Sequence, residues 1–188
     1  MRARTGASVL FAIVLCAAAS PAAAQSGSKP QAPRSGPPAL DISAGYSYVR
    51  EAGTDGGVPN IYNAGWVVSV SHRIGASRIA VVGEAGGSYR LDVFGERQSL
   101  YGFFGGVRVP LVHLFHLSTF AQALVGKEYF SQPGFSESGI AFQPGAGVDL
   151  RLVGSIGLRV QGDYRIAHEE GINFQESRIA ASLVFGMR

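Results

Sequence analysis

Cysteine and lysine are almost absent from this 188-residue chain. The scarcity of cysteine argues against thiol chemistry, and the scarcity of lysine argues against the exterior of a soluble protein. The single cysteine, Cys16, lies in an apolar run near the N-terminus. If that run is removed, the rest of the chain can form no disulfide, thiol nucleophile or cysteine metal site. Lysine occurs only as Lys29 and Lys127, whereas the exteriors of soluble proteins carry mixed charges that include many lysines. Glycine, with 26 residues, is in contrast about twice as frequent as usual.

Long apolar runs are also lacking, apart from the one at the N-terminus. Two arginines precede "ASVLFAIVLCAAAS", and the following "PAAAQ" has the Ala-x-Ala spacing that signal peptidase accepts. These features predict a secretory signal peptide at residues 1–24. The run is shorter than the roughly 20 residues that a spanning helix needs. Leu15 stands where a lipoprotein signal has a small residue, so we do not expect lipid attachment at Cys16.

The positive charge is small once the signal arginines are removed, since the formal net charge then falls from +3 to +1. A net charge this small argues against a nucleic-acid-binding surface. Residues 25–39, "QSGSKPQAPRSGPPA", are rich in Pro, Ser and Gly without periodicity, which predicts a periplasmic linker. Residues 40–188 suit one domain.

From residue 40 onward, amphipathic helix patterns are absent and period-two alternation takes their place. In "GAGVDLRLVGSIGLRVQGDYR", apolar residues alternate with polar ones on both sides of a turn, which predicts a β-hairpin with one apolar face. The whole chain gives eight such strands, at 40–50, 63–74, 78–90, 98–109, 117–129, 139–152, 156–166 and 175–187. Eight is the smallest common number of strands that closes a barrel whose interior side chains can fill.

The connections between these strands differ in length at the two ends. "GAS" and "VGS" are tight turns, and "PLVHLFH" at 110–116 is a longer member of the same set, which defines the short-turn rim. "EAGTDGGVPNIY", "LDVFGERQ", "FSQPGFSES" and "AHEEGINF" define the long-loop rim. Short turns at one rim and long loops at the other are typical of outer-membrane barrels. We therefore predict an all-β, eight-stranded antiparallel up-and-down transmembrane β-barrel in the outer membrane, with both termini at the short-turn rim.

Aromatic residues indicate which face meets lipid. Seven of the eight strands carry one near the long-loop end of the apolar face, as expected for rings at the headgroup level. This predicted girdle consists of Tyr48, Trp66, Tyr89, Tyr101, Tyr129, Phe142 and Tyr164. The other face is rich in Gly and Ser, which suits a narrow lumen. If the faces were inverted, the chain would be a soluble lipocalin-like carrier.

Several segments resemble small outer-membrane β-barrel proteins of the OmpA/OmpX-like type, among them "DISAGYSYVR", "GFFGGVRV" and "SRIAASLVFGMR". The resemblance covers the barrel domain without a peptidoglycan-binding domain. It implies a structural or surface-interaction role, contact with outer-membrane lipid and lipopolysaccharide, and recognition of the last strand by the barrel assembly machinery. The chain ends in Met187 and Arg188 rather than in an aromatic residue, although the alternation of the last strand is kept.

Charged residues on the lumen face predict a network of ion pairs, because a charge in a narrow barrel is costly unless it is paired. We expect Asp149 and Arg151 to meet Arg159 and Asp163 on the next strand, and Glu84 to meet Arg108. A fixed network would plug the lumen and hold the register of the strands. A network whose pairs exchange would instead form a small ion-conducting pore.

Catalytic and ligand motifs are weak. A lipid A-modifying enzyme could use only His72 with Ser71, while His113 and His116 have no acidic neighbours and His168 lies in a loop. We predict no enzyme activity, no metal site and no cofactor. The long loops could bind a surface ligand, but Phe135 and Tyr62 at their tips are equally suited to packing against other loops.

Overall fold

The computed structural model describes residues 40–52, 59–75, 77–91, 97–169 and 172–187. The predicted signal peptide and linker lie outside these residues. The described residues form nine strands: β1 (Leu40–Glu51), β2 (Asn60–Tyr62), β3 (Ala64–Arg73), β4 (Ala80–Leu91), β5 (Arg97–Leu114), β6 (Leu117–Gln132), β7 (Phe135–Val153), β8 (Ile156–Glu169) and β9 (Ile172–Met187). No helix in this described part of the chain is long and apolar enough to cross a membrane.

Antiparallel pairing closes the strands into a ring. Each strand from β3 onward pairs with the next, and β9 returns to pair with β1 from Leu40↔Met187 to Glu51↔Glu176. β2 and β3 follow each other along the same edge of β1, with the pairing interrupted between Tyr62 and Trp66. They therefore form one strand of the ring, and the prediction of a closed, eight-stranded antiparallel barrel is confirmed.

Burial alternates along every strand and fixes which face points inward. In the hairpin of β7 and β8, Leu150 and Val160 are exposed on the outside, while Arg159 on the inside is 1 % exposed. The outer face of the barrel is thus apolar and exposed, and the inner face is polar and buried. In a protein surrounded by water this distribution would be reversed.

The short-turn rim differs from the prediction at residues 110–116. β5 continues through this segment to Leu114, so the turn consists of Phe115 and His116. The register shifts between Pro110 and His113, because β5 holds one residue more than β6 there. Thr119 accepts a hydrogen bond from the bulged Val112 amide at 3.1 Å, so the irregular backbone remains satisfied.

The long-loop rim is also more regular than predicted. β6 and β7 run through most of "FSQPGFSES" and are joined by Pro133 and Gly134 alone. Gly134 has φ 80°, a conformation that glycine adopts without strain. The last two strands likewise extend into "AHEEGINF", to Glu169 and from Ile172. Residues 53–58 and 92–96, which make up most of the two remaining loops, lie outside the described residues.

Two apolar clusters occupy part of the interior. One contains Val82, Phe104, Leu124, Ala141 and Ala167, with Phe174 packed against it. The other contains Val49, Tyr62 and Leu100, with Phe130 packed against it. Tyr62 is therefore an interior side chain that helps to cap the lumen. Buried charged residues lie beside these apolar side chains on the inner face, as Glu84 does next to Val82 on β4, and others lie toward the short-turn rim.

Candidate functional site

The lumen contains three linked clusters of charged side chains, here called lower, middle and upper from the short-turn rim upward. In the lower cluster, Arg159 holds both carboxylate oxygens of Asp149, at 2.7 and 2.8 Å. Its third nitrogen lies 3.3 Å from Asp41 on β1. Asp41 also accepts a hydrogen bond from Ser71 at 2.5 Å. The lower cluster thus ties β1, β3, β7 and β8 together across the lumen.

Arg108 belongs to the same cluster but binds a different partner. Its Nε and Nη2 atoms donate to Oε1 of Gln122 at 3.1 and 2.8 Å, and its Nη1 lies 3.8 Å from Asp41. The guanidinium groups of Arg108 and Arg159 both lie over the Phe120 ring, 4.4 and 5.0 Å from its centroid. The aromatic face therefore stabilises two cations that have left water.

The middle cluster is centred on Arg178 of β9. Its Nη2 atom lies 2.7 Å from both Glu84 and Asp163, and its Nε atom donates to Asp163 at 3.1 Å. All three residues are buried, so each charge depends on the others for stabilisation. Three glutamines donate further hydrogen bonds: Gln122 to Asp163 at 3.0 Å, Gln143 to Glu84 at 2.9 Å, and Gln161 to Asp163 and Glu84 at 3.1 and 3.3 Å.

The upper cluster has one cation and two anions. Arg165 pairs with Glu128 and, at 3.0 Å, with Glu176. It also donates two hydrogen bonds to Gln143, which links the upper cluster to the middle one. The Arg165 guanidinium lies 4.6 Å from the centroid of the Phe104 ring. Gln122 provides the corresponding link between the lower and middle clusters.

Two of the predicted contacts, Glu84 with Arg108 and Asp163 with Arg151, are not found in the described part of the structure. Asp149 and Arg159 are paired as expected, but Glu84 pairs with Arg178 instead of Arg108. Asp163 also pairs with Arg178. Arg151 is exposed at the short-turn rim, outside the buried clusters. The register of β7 and β8 shifts directly after it, and this bulge accompanies its position at the mouth of the lumen.

Five charged residues of the clusters are missing from the predicted network: Asp41, Glu128, Arg165, Glu176 and Arg178. All of them are on the inward parity of their strands, so the alternation contains the signal that would place them in the lumen. Their partners come from distant parts of the chain. Arg178 and Glu84 are 94 positions apart, and Arg159 and Asp41 are 118 apart. The stagger of the closed ring determines these pairs, and one strand pattern does not reveal it.

All seven residues of the predicted girdle lie on outward positions of their strands. Tyr129, Phe142 and Tyr164 are exposed, and the other four are partly exposed. Neighbouring rings touch: Trp66 donates to the Tyr89 hydroxyl at 3.3 Å, and Tyr89 meets Tyr101 edge to face at 5.7 Å. An aromatic band therefore surrounds at least this side of the outer face.

The register adds Tyr46 to this band, a residue that the prediction left out. A continuous row of paired residues crosses five strands, in the order Tyr46, Trp66, Gly87, Tyr101 and Tyr129. A Cβ atom at Gly87 would lie 2.7 Å from the Trp66 indole nitrogen. The absence of a side chain at Gly87 thus leaves the space that the Trp66 indole occupies.

The histidines do not form a catalytic arrangement with the candidate serine. Ser71 points into the lumen and is bonded to Asp41, whereas His72 is exposed on the outer face. His113 bonds Ser118 at 2.6 Å, and His116 lies in the turn. Within the described ranges, no three His, Cys, Asp or Glu side chains come together in a way that could hold a metal ion.

The closed ring, the apolar outer face and the charged lumen together define the class: the chain has the fold of the small eight-stranded outer-membrane β-barrels. Two solved structures of such barrels are similar to this chain. Neisserial surface protein A (NspA) superposes with a TM-score of 0.67 at 11% identity, over 79% of this chain and 97% of that one. Ail, the attachment invasion locus protein of Yersinia pestis, superposes with a TM-score of 0.51 at 18% identity, over 79% and 99%. No protein-family model matches this sequence, and no curated protein does either.

Proposed function

We propose that the chain is an integral outer-membrane protein with a plugged lumen, and that it has a structural or surface-interaction role. The observation that carries this proposal is the linked set of buried ion pairs across the barrel. Arg159, Arg178 and Glu128, one from each of the lower, middle and upper clusters, are at most 3 % exposed. Side chains that fill the cross-section in this way hold the strands in register and leave little room for transport.

Insertion in the membrane is supported by the outer face. Apolar side chains such as Val125, Leu183 and Phe185 are about half exposed there, and the aromatic band lies nearer the long-loop rim. Because β1 begins and β9 ends at the same rim, that rim faces the periplasm in an outer-membrane barrel. The remaining partners of this proposal are outer-membrane lipid and lipopolysaccharide around the barrel, and the assembly machinery at β9.

Trp66, the only tryptophan, provides a direct test of insertion. In vesicles of brominated phospholipid, we expect bromines near the headgroup to quench its fluorescence more strongly than bromines near the chain ends, since amphipathic rings lie at that level. The combined variant Trp66→Phe, Val68→Trp moves the ring two residues along the same face and reverses this order. The folded barrel is also expected to migrate faster unboiled than boiled on a gel. A protein that is unquenched by either lipid and shows no heat shift would be a soluble barrel.

The plugged lumen makes a second prediction. In planar bilayers, the wild-type protein and Arg108→Gln are both expected to produce no conductance steps above the leak of the membrane, because the middle cluster remains in place. Heat-shifted protein recovered from the same preparation shows that the barrel has folded. Steps in the wild type that change in size in Arg108→Gln would favour the small ion-conducting pore instead.

The surface role is assigned to the long-loop rim. Phe135 lies at the tip of the β6–β7 hairpin, exposed and 6.3 Å from the Phe130 ring. The two similar structures are named a surface protein and an attachment protein, which agrees with a role at this rim. Replacing the long loops while keeping the heat shift separates the two roles: loss of cell adhesion indicates surface binding, and unchanged adhesion indicates a structural protein. An unchanged mass of lipid A in expressing cells is expected, since the protein is not proposed to be an enzyme.

A further inference from the structure

A cavity of about 140 Å³ opens at the short-turn mouth of the lumen, below the lower cluster. A single water needs about 10–15 Å³ by this kind of measure, so the cavity has room for a polyatomic ligand. Arg108, Arg159 and Phe120 form part of its lining, together with residues of the short-turn rim. The proposed function does not use this space.

One buried donor in the lining is unsatisfied. Arg108 is 4 % exposed, and its Nη1 atom has no hydrogen-bond partner among the described residues. The nearest anion, Asp41, lies 3.8 Å away, which is too far for a hydrogen bond. Its other two nitrogens are already bonded to Gln122. A buried charged donor without a partner is costly, and such exceptions indicate a missing ligand or ion.

The charge of the cavity has the sign that an anion requires. Among the described lining residues, five are arginines and two are aspartates. Both aspartates are already engaged: Asp149 is held by Arg159, and Asp41 by Arg159 and Ser71. Arg78 and Arg151 lie exposed at the mouth. Arginines therefore outnumber carboxylates in the described part of the lining.

We propose that this cavity binds a phosphate group entering from the periplasmic side, with Nη1 of Arg108 as its buried donor. A phosphate group is anionic at pH 7 and presents several acceptor oxygens, which match the arginines on several walls of the cavity. Guanidinium groups also fit phosphate geometry better than ammonium groups do. Arg78 and Arg151 attract and hold the outward oxygens. The group is either free inorganic phosphate or a phospholipid headgroup of the inner leaflet.

Calorimetric titration of inorganic phosphate into the folded barrel in maltoside micelles, which contain no phosphate, tests the proposal. We expect saturable one-to-one binding. Arg108→Lys keeps a cation but removes the buried Nη1 donor, so the affinity should fall at least tenfold, about the effect of losing one charged hydrogen bond. Arg78→Ala and Arg151→Ala should each weaken binding by up to about fivefold, as expected for exposed charges. Arg50→Ala removes an exposed arginine from the opposite rim and should leave the affinity unchanged.

The source of the phosphate is distinguished by repeating the titration in phosphatidylglycerol nanodiscs. Loss of the inorganic phosphate signal there assigns the site to the lipid headgroup, and an unchanged signal assigns it to dissolved phosphate. Absence of saturable binding in micelles overturns the proposal, and so does an unchanged affinity in the Arg78→Ala, Arg151→Ala double variant. That double variant decides the question if Arg108→Lys fails to fold, since both residues are exposed. The site needs the folded barrel but not a plugged lumen, so conductance and phosphate binding can fail independently.

Discussion

Arg178→Met is expected to destabilise the barrel by about 3–5 kcal/mol, the largest effect of any single lumen substitution we consider. The side chain is 3 % exposed and is shared by two carboxylates, Glu84 and Asp163, each 2.7 Å from its Nη2 atom. Without the guanidinium, both carboxylates remain in a narrow lumen with only glutamine donors. Methionine keeps much of the volume, so the loss measures charge and hydrogen bonding more than packing.

The measurement is equilibrium unfolding by urea in lipid vesicles, followed by the fluorescence of Trp66. Arg50→Met makes the same chemical change at an exposed position of the outer face and is expected to leave the unfolding midpoint unchanged. The triple variant Arg178→Met, Glu84→Gln, Asp163→Asn removes the stranded charges as well. It should regain more than half of the lost stability, because neutral partners carry a much smaller desolvation cost. A loss below 1 kcal/mol in Arg178→Met alone would show that water reaches the middle cluster and replaces the ion pair.

The lumen shows what the sequence can predict and where its information ends. Strand alternation places Glu84, Arg108, Asp149, Arg159 and Asp163 inward, and all of them are found there. Local pairing is also predictable when two residues face each other across a hairpin, as Asp149 and Arg159 do. Contacts across the lumen depend instead on the tilt and stagger of the whole ring. The partner of Glu84 is therefore found on β9, not on the neighbouring β5.

The rims were less predictable for a different reason. Turn residues such as Pro133 and Gly134 indicate that the chain reverses, but polar residues on both sides of them suit either a loop or a strand beyond the membrane. The pairing across the hairpin, which begins at Gln132↔Phe135 and continues toward the short-turn rim, makes these residues part of the strands. At the other rim, Arg151 keeps the inward parity, but a one-residue bulge follows it directly and it lies exposed at the mouth. Such bulges are properties of a strand pair rather than of one segment.

The second large effect is expected from an inward-facing glycine. A Cβ atom at Gly106 would lie 2.1 Å from the carbonyl oxygen of Ala123 and 2.8 Å from the Cα atom of Leu124. Both are backbone atoms of the neighbouring strand β6, so they cannot move aside as a flexible side chain could. Gly106→Ala therefore has to push β5 and β6 apart locally, which should cost about 1–3 kcal/mol as an overpacked site does.

The adjacent residue provides a matched control, because Gly105 lies on the same strand but points outward. The nearest atom to a Cβ there is the carbonyl oxygen of Val82, at 3.9 Å, which is ordinary contact. Gly105→Ala should therefore leave both the heat shift and the urea midpoint unchanged, or raise the midpoint slightly by restricting the unfolded chain. Equal losses in the two variants would indicate a general need for flexible backbone in β5. A loss confined to Gly106→Ala would show that the abundance of glycine in the lumen reflects the close approach of neighbouring strands, which leaves the interior space to the charged side chains.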